Sequence, residues 1–172
     1  MKAPPVILTL VWLVTSASAQ YGGGTGEPND PHLIYTAEQM NAIGANPNDW
    51  DKHFKLMADV DLRTLGGARF NIIGNDYKNP FTGVFDGNGH VISHLTISRE
   101  AFVGVFGRLL SGSEVKDLKL VDVSIAGSKY VAGLVGLNEG DIVRCSSAGM
   151  VNGKWDMIGG LVGMNNGAVI HS

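Results

Sequence analysis

The sequence predicts an all-β domain, a parallel β-helix (solenoid) opened by a short N-terminal capping helix. Three observations carry this: a Gly-rich segment that recurs at a fixed shift, a series of short apolar runs punctuated by Gly and Asn, and one helix signal confined to the start of the domain.

The recurrence is explicit. Gly133-Leu134-Val135-Gly136-Leu137-Asn138-Glu139-Gly140-Asp141-Ile142-Val143 returns as Gly160-Leu161-Val162-Gly163-Met164-Asn165-Asn166-Gly167-Ala168-Val169-Ile170, a shift of 27 residues throughout. A weaker copy, Val103-Gly104-Val105-Phe106-Gly107, matches Ala132 to Gly136 at a shift of 29, and Thr82 to Gly89 reads as a founding rung of the same type. A period in the twenties, with two or three short strands per unit, suits coils that stack so that equivalent strands pair in parallel. Such strands lie about 4.8 Å apart, so the visible coils build a stub about 20 Å tall. In that register Leu134 stacks on Leu161 and Val135 on Val162. The Gly residues are expected to supply special backbone conformations at coil corners, and Asn138 and Asn165 to form a ladder that satisfies turn carbonyls.

The other elements follow from local pattern. Phe54 to Leu62 alternates as a half-buried strand, and short apolar runs follow at Val91-Ile92, Leu95 to Ile97, Val103 to Phe106, Val115 to Val123, Leu134-Val135 and Ile142-Val143. Thr36, three residues ahead of Gln39, is a capping signal; with Met40 and Ile43 at helical spacing it predicts a helix from Ala37 to Ile43, ended by Gly44. Trp50 and Phe54 lie close enough in sequence to help close the first end of the stack. Residues 20–33, rich in Gly and Pro, read as a flexible leader, and residues 34–172 as the repeat domain.

The N-terminus reads as a signal peptide over residues 1–19. Lys2 precedes an apolar run from Val6 to Val14, too short for a bilayer, and Ala17 and Ala19 fit a peptidase site with cleavage after Ala19. The mature chain, Gln20 to Ser172, carries 12 basic against 16 acidic side chains and no basic run, which argues against nucleic-acid binding. No later stretch is apolar enough for a transmembrane helix. A secreted or cell-surface location is therefore expected. Cys145 is the lone cysteine, so no internal disulfide is possible, and a small residue facing the core is expected there.

The quoted repeats resemble the GLUG-motif repeat family. The Gly-Leu-aliphatic-Gly core stands at Gly133, Leu134, Val135 and Gly136 and again at Gly160, Leu161, Val162 and Gly163. The Asn-x-Gly that follows is met at Asn138 and Gly140, and at Asn165 and Gly167. The repeats occupy about 133–153 and 160–172, and the likeness extends from about Ile34 onward. The resemblance implies a right-handed β-helix of bacterial surface or secreted proteins, among them adhesins and noncatalytic parts of IgA-cleaving metallopeptidases, with no catalytic residues; no cofactor is expected. The chain stops at His171-Ser172 inside a repeat, so truncation and self-association through an open C-terminal coil are expected.

No His-Glu-x-x-His string occurs; His90 and His94 flank strands and read as solvent-facing rather than metal-binding. Asp59, Asp61, Asp76 and Asp86 are the carboxylates a glycan-cleaving β-helix would need, but their spacing does not pair them. Asp59 and Asp61, on one side of a strand, and Asp86 to Gly89 are candidate Ca²⁺ ligands, against the simpler reading that Asp86 and Asn88 bond within their own turn. Tyr77, Tyr130 and Trp155 are the candidate sugar or protein contacts, weighed against burial as loop anchors. The expected function is a noncatalytic scaffold for adhesion or for binding a protein or glycan. The alternatives are a carbohydrate-active or carbohydrate-binding module, or an accessory module of a secreted peptidase.

Overall fold

The computed structural model describes residues 20–65 and 69–172, and the expected signal peptide lies outside them. The described chain opens with strand β1 (His32–Ile34) and helix α1 (Ala37–Ala45). Thr36 Oγ1 accepts from the Gln39 amide at 3.3 Å while Gln39 Oε1 accepts from the Tyr35 amide at 2.7 Å, so the capping signal acts as read. The helix continues past Gly44, which does not stop it. Gly44 is buried against Asn71, whose carbonyl would collide with any Cβ, and the stop falls at Asn46, ahead of Pro47.

Residues 20–33 are not a flexible leader. Gly22 N donates to Leu33 O and Leu33 N to Gly23 O, folding the segment back on itself. Tyr21 is only 7% exposed, packs edge-on against Phe54 at 5.5 Å, and donates its hydroxyl to the Asp49 carboxylate. A Gly- and Pro-rich composition argues against long helix or strand; it does not argue against packing.

Beyond the helix the chain winds in coils. The first holds β2 (His53–Leu56) and β3 (Val60–Asp61), so the single expected strand from Phe54 to Leu62 is two, broken by a corner at Met57 to Asp59. The next holds β4 (Val84–Asp86), β5 (Val91–Ser93), β6 (Thr96–Ser98), β7 (Ala101–Val103) and β8 (Phe106–Leu109). Then come β9 (Glu114–Lys116), β10 (Lys119–Gly127), β11 (Lys129–Ala132) and β12 (Val135–Asn138), followed by β13 (Asp141–Val143), β14 (Ser146–Gly153), β15 (Ile158–Gly159) and β16 (Val162–Asn165). Strand β17 (Ala168–Ile170) begins another turn. Equivalent strands pair in parallel in four sheets, ordered β1-β2-β4-β9-β13-β17, β14-β10-β5-β3 with β6 also on β10, β15-β11-β7, and β16-β12-β8. This is a parallel β-solenoid of about four turns.

Register follows the repeat where the repeat is clear. Val135 pairs with Val162 and Ile142 with Val169, both 27 apart, and Leu134 N donates to Leu161 O. Upstream the offset is 29 at Phe106 and Val135 but 28 at Val103 and Val131, so the weaker copy slips by one residue between β7 and β8. The Thr82 to Gly89 segment is not a rung of the Gly-Leu-Val-Gly type. Its Phe85 pairs with Val115, which pairs with Ile142, placing it on a different sheet. The segment that stacks on Phe106 is Phe70 to Gly74, through an Ile73 bridge offset by 33 residues; the offset returns to 28 at Phe81 and Leu109 because Asn75 to Pro80 bulge out as an extra loop.

Inward-facing positions of the strands fill the interior; β12 is buried at all four positions, with Leu137 in a second cluster beside Phe102 and Tyr130. Phe54, Phe85, Val115 and Ile142 form one buried column and Ile92 with Leu120 another, while Phe81 lies 5.2 Å from Phe106 and bridges two faces. Each such side chain contributes about 1.5–3 kcal/mol on burial. At the N-terminal end Met40, Ile43 and Trp50 join the same core, and the Trp50 indole donates to Ile43 O at 2.7 Å.

Candidate functional site

The repeat residues are placed by stacking. Gly74, Gly107, Gly136 and Gly163 form a ladder in which a Cβ on each would press on the carbonyl of the one before: 2.5 Å for Gly107, 2.8 Å for Gly136 and 2.7 Å for Gly163. Gly167 stands in the same relation to Gly140, and Gly133 is closed by Ser147 and the Gly160 carbonyl. Their role is close approach of coils. The expected role at corners is corrected, since Gly133, Gly136, Gly140, Gly160, Gly163 and Gly167 all lack a positive φ; in the ladder only Gly74 has one, at 66°. Asn138 and Asn165 do form a ladder. Asn138 is fully buried, donates to Asn165 Oδ1 at 2.7 Å and to Gly140 O at 3.1 Å, and accepts from Gly140 N.

Positive φ falls instead on bulkier residues in register: Asp117, Arg144 and His171 at one corner, Phe102, Tyr130 and Met157 at a second, His94 and Asp122 at a third. A left-handed backbone costs an L residue about 1–2 kcal/mol, so stacking must hold each corner. At the second it does: the Phe102 and Tyr130 rings lie parallel 4.9 Å apart, and Tyr77 closes on both edge-on, its hydroxyl donating to Tyr130 Oη at 2.9 Å. At the first corner Arg144 pairs with Asp117 through two hydrogen bonds, which hold the Asp117 carboxyl below its usual range.

The candidate carboxylates do not converge. Asp59 accepts from the Val91 amide and from His90, and these bonds lower its pKa. Asp61 is lowered chiefly by the Arg63 amide and also meets His94 at 3.1 Å. Asp76 accepts from the Asn79 and Lys78 amides, and Asp86 from the Asn88 amide within its own turn. Asp59 lies outside β3, so it and Asp61 do not share a strand face; each meets its own histidine on the next coil, and the two candidate Ca²⁺ ligands do not converge. Cys145 is buried, its thiol donating to backbone carbonyls, and desolvation pushes its pKa up to about 11.

Two exposed features remain. Tyr130 is buried, Tyr77 is half exposed with Arg108 over its ring, and Arg108 is bound in turn to Glu139. The other feature is a groove of about 400 Å³ where β6, β10 and β14 turn into the next sheet, lined by Ser98, Ala126 and Asn152 and by the turns that follow them. Sequence reasoning missed this groove. Its signal lay in three turns one coil apart, Arg99-Glu100, Gly127-Ser128 and Gly153-Lys154, whose residue types repeat only at Gly127 and Gly153.

The coils and ladders define a β-solenoid repeat protein. No known family profile matches the chain. It is 32% identical over 154 residues to halomucin of Haloquadratum walsbyi, which is 86% of this chain and 2% of halomucin. It is also 32% identical over 137 residues to a protein named as a Gly-rich membrane protein of Evansella cellulosilytica, 75% of this chain and 16% of that one. The chain thus spans a small part of each of these relatives. A crystal structure of a protein assigned as an immunoglobulin A1 protease from Bacteroides ovatus superposes with a TM-score of 0.58 at 14% identity, covering 90% of this chain and 68% of that one; the likeness establishes the fold alone. Among the described residues no helix is long and apolar enough to cross a membrane.

Proposed function

We propose that the chain is a noncatalytic scaffold of an exported, surface-displayed protein, with coils that hold ligand-contacting turns in fixed positions. The observation that carries this reading is the commitment of the repeat residues to stacking: the Gly ladder sets coil spacing and the Asn ladder satisfies buried backbone. The Gly-Leu-aliphatic-Gly resemblance, the signal-peptide pattern and the similarity to halomucin and to a membrane protein support placement at the cell surface. The carboxylates support the noncatalytic part. A glycosidase acid needs a raised pKa opposite a second carboxylate, whereas Asp59, Asp61 and Asp76 are lowered by bonds to neighbouring amides.

The test is made on cells that export the chain. The expected outcome is a mature N-terminus at Gln20 by mass spectrometry, cleavage of the displayed chain by protease added outside intact cells, and no turnover of polysaccharide or immunoglobulin by the purified protein. Retention of residues 1–19 in the cytoplasm would overturn the export reading. Turnover abolished by Asp59→Ala or Asp61→Ala would overturn the noncatalytic one.

A further inference from the structure

We infer that the corner groove beside β6, β10 and β14 is a binding subsite for a linear neutral glycan lying along the solenoid axis. The inference rests on the binding-scaffold reading and gives it a ligand class. Ser98, Ala126 and Asn152 are in register on three successive coils, so the groove presents equivalent positions at the inter-strand spacing of about 4.8 Å. That spacing is close to the length of one sugar unit in an extended chain, so successive units meet successive coils. The volume, about 400 Å³, lies within the range of small-molecule sites.

Two of the three turns place glycine at the groove for a packing reason. A Cβ at Gly127 would come within 2.8 Å of Val131 and 2.9 Å of Val103, and one at Gly153 would strike Ile158. Glycine at these two positions lets the chain turn tightly over the core beneath the groove. The rims are polar and uncommitted: Ser98, Ser128, Asn152 and Lys154 donate no side-chain hydrogen bond and form no ion pair among the described residues. Hydroxyl and amide groups that both donate and accept match the hydroxyls of a sugar. Arg99, Glu100 and Lys154 bring both signs of charge, so recognition rests on hydroxyl bonding and not on attraction of a polyanion.

Beside the groove stands Trp155, the most exposed of the large hydrophobic side chains described, at 68%. Its amide donates to Ser128 O at 3.0 Å and the Lys154 amide to Gly127 O at 3.2 Å, which pins the indole's backbone to the groove wall. A flat aromatic body with one polar handle, left in water, suits the apolar face of a pyranose ring.

The experiment titrates ¹⁵N-labelled protein (residues 20–172) with cellotetraose, with a linear mannotetraose and with tetragalacturonate, following amide shifts. A neutral tetrasaccharide is expected to give saturable shifts confined to residues 98–100, 126–128 and 152–155 and to the Trp155 indole. Trp155→Ala should weaken binding by about tenfold, the loss of one stacking contact. Ala126→Arg, which fills the groove from an outward-facing position, should abolish it, with both variants keeping the parent circular dichroism and thermal midpoint. Tyr77→Ala should bind as the parent does. The proposal is overturned if no neutral probe binds at millimolar concentration, if tetragalacturonate alone binds, if binding survives Ala126→Arg, or if the shifts gather around Tyr77. A glycan bound in the groove but cleaved would sink the noncatalytic reading and leave the subsite standing. Failure to bind by a chain still displayed on cells does the reverse.

Discussion

At Gly136 one methyl group decides whether two coils can touch. A Cβ there would sit 2.6 Å from Tyr130 O and 2.8 Å from Gly107 O, both backbone atoms with no freedom to yield. Gly136→Ala is expected to cost about 1–3 kcal/mol, the range for overpacked cores. Gly160→Ala, where nothing lies within 4 Å, should stay within about 0.5 kcal/mol of the parent; urea denaturation of the two variants makes the comparison. Cys145 gives a pH dependence. Its folded pKa of about 11 lies above the free-thiol value of about 8.5, so between those values the unfolded chain has released more protons. Stability is therefore unaffected by this thiol below about pH 8.5 and falls as pH rises through the window. Tyr21, raised by burial and by Asp49, adds a loss that begins at still higher pH. In Cys145→Ala the alkaline decline should begin later, near the tyrosine range of about 10, read as thermal midpoint against pH. An unchanged onset would mean that the thiol is not desolvated.

The element scale shows why some features were legible in the sequence and others were not. The ladders were legible because they demand one residue type: only Gly leaves room at Gly107, Gly136 and Gly163, and Asn138 and Asn165 repeat because each bonds the same turn two residues on. The left-handed corners were not, because what recurs at Asp117, Arg144 and His171 is a backbone conformation shared by three unlike side chains. The Phe70 to Gly74 rung is hidden in the sequence because the inserted Asn75 to Pro80 loop stretches its offset to 33. The 20–33 segment reads as loose in the sequence because its contacts are long-range, Tyr21 to Asp49 and Phe54, and leave no local period. Between β12 and β16 the Asn ladder should be energetically asymmetric. Asn138→Ala leaves the buried Gly140 amide and carbonyl without that side chain's bonds and is expected to cost about 1–3 kcal/mol, whereas the more exposed Asn165→Ala should cost less than half as much. Equal losses in thermal unfolding would refute the claim that burial sets the value of the rung.

On the scale of the whole molecule, irregularity is concentrated at the capped end. There α1, the folded-back 20–33 segment and the 75–80 loop depart from the coil, while offsets settle to 27 from β9 onward on the first sheet. The settled spacing has a hereditary consequence. A unit of 27 residues returns each strand to the same sheet, the same face and the same Gly and Asn rungs, so a tandem duplication of that length lengthens the stack by one coil without disturbing its neighbours. A duplication one residue longer or shorter turns interior side chains outward wherever the extra residue is not absorbed at a corner. Copying residues 133–159 in tandem after Gly159 should therefore give a folded protein with one more coil and a higher thermal midpoint, and copying 133–158 should give one that melts lower than the parent. Growth by whole coils makes the length of such a protein an inheritable quantity, adjustable in fixed steps while the capped end stays as it is.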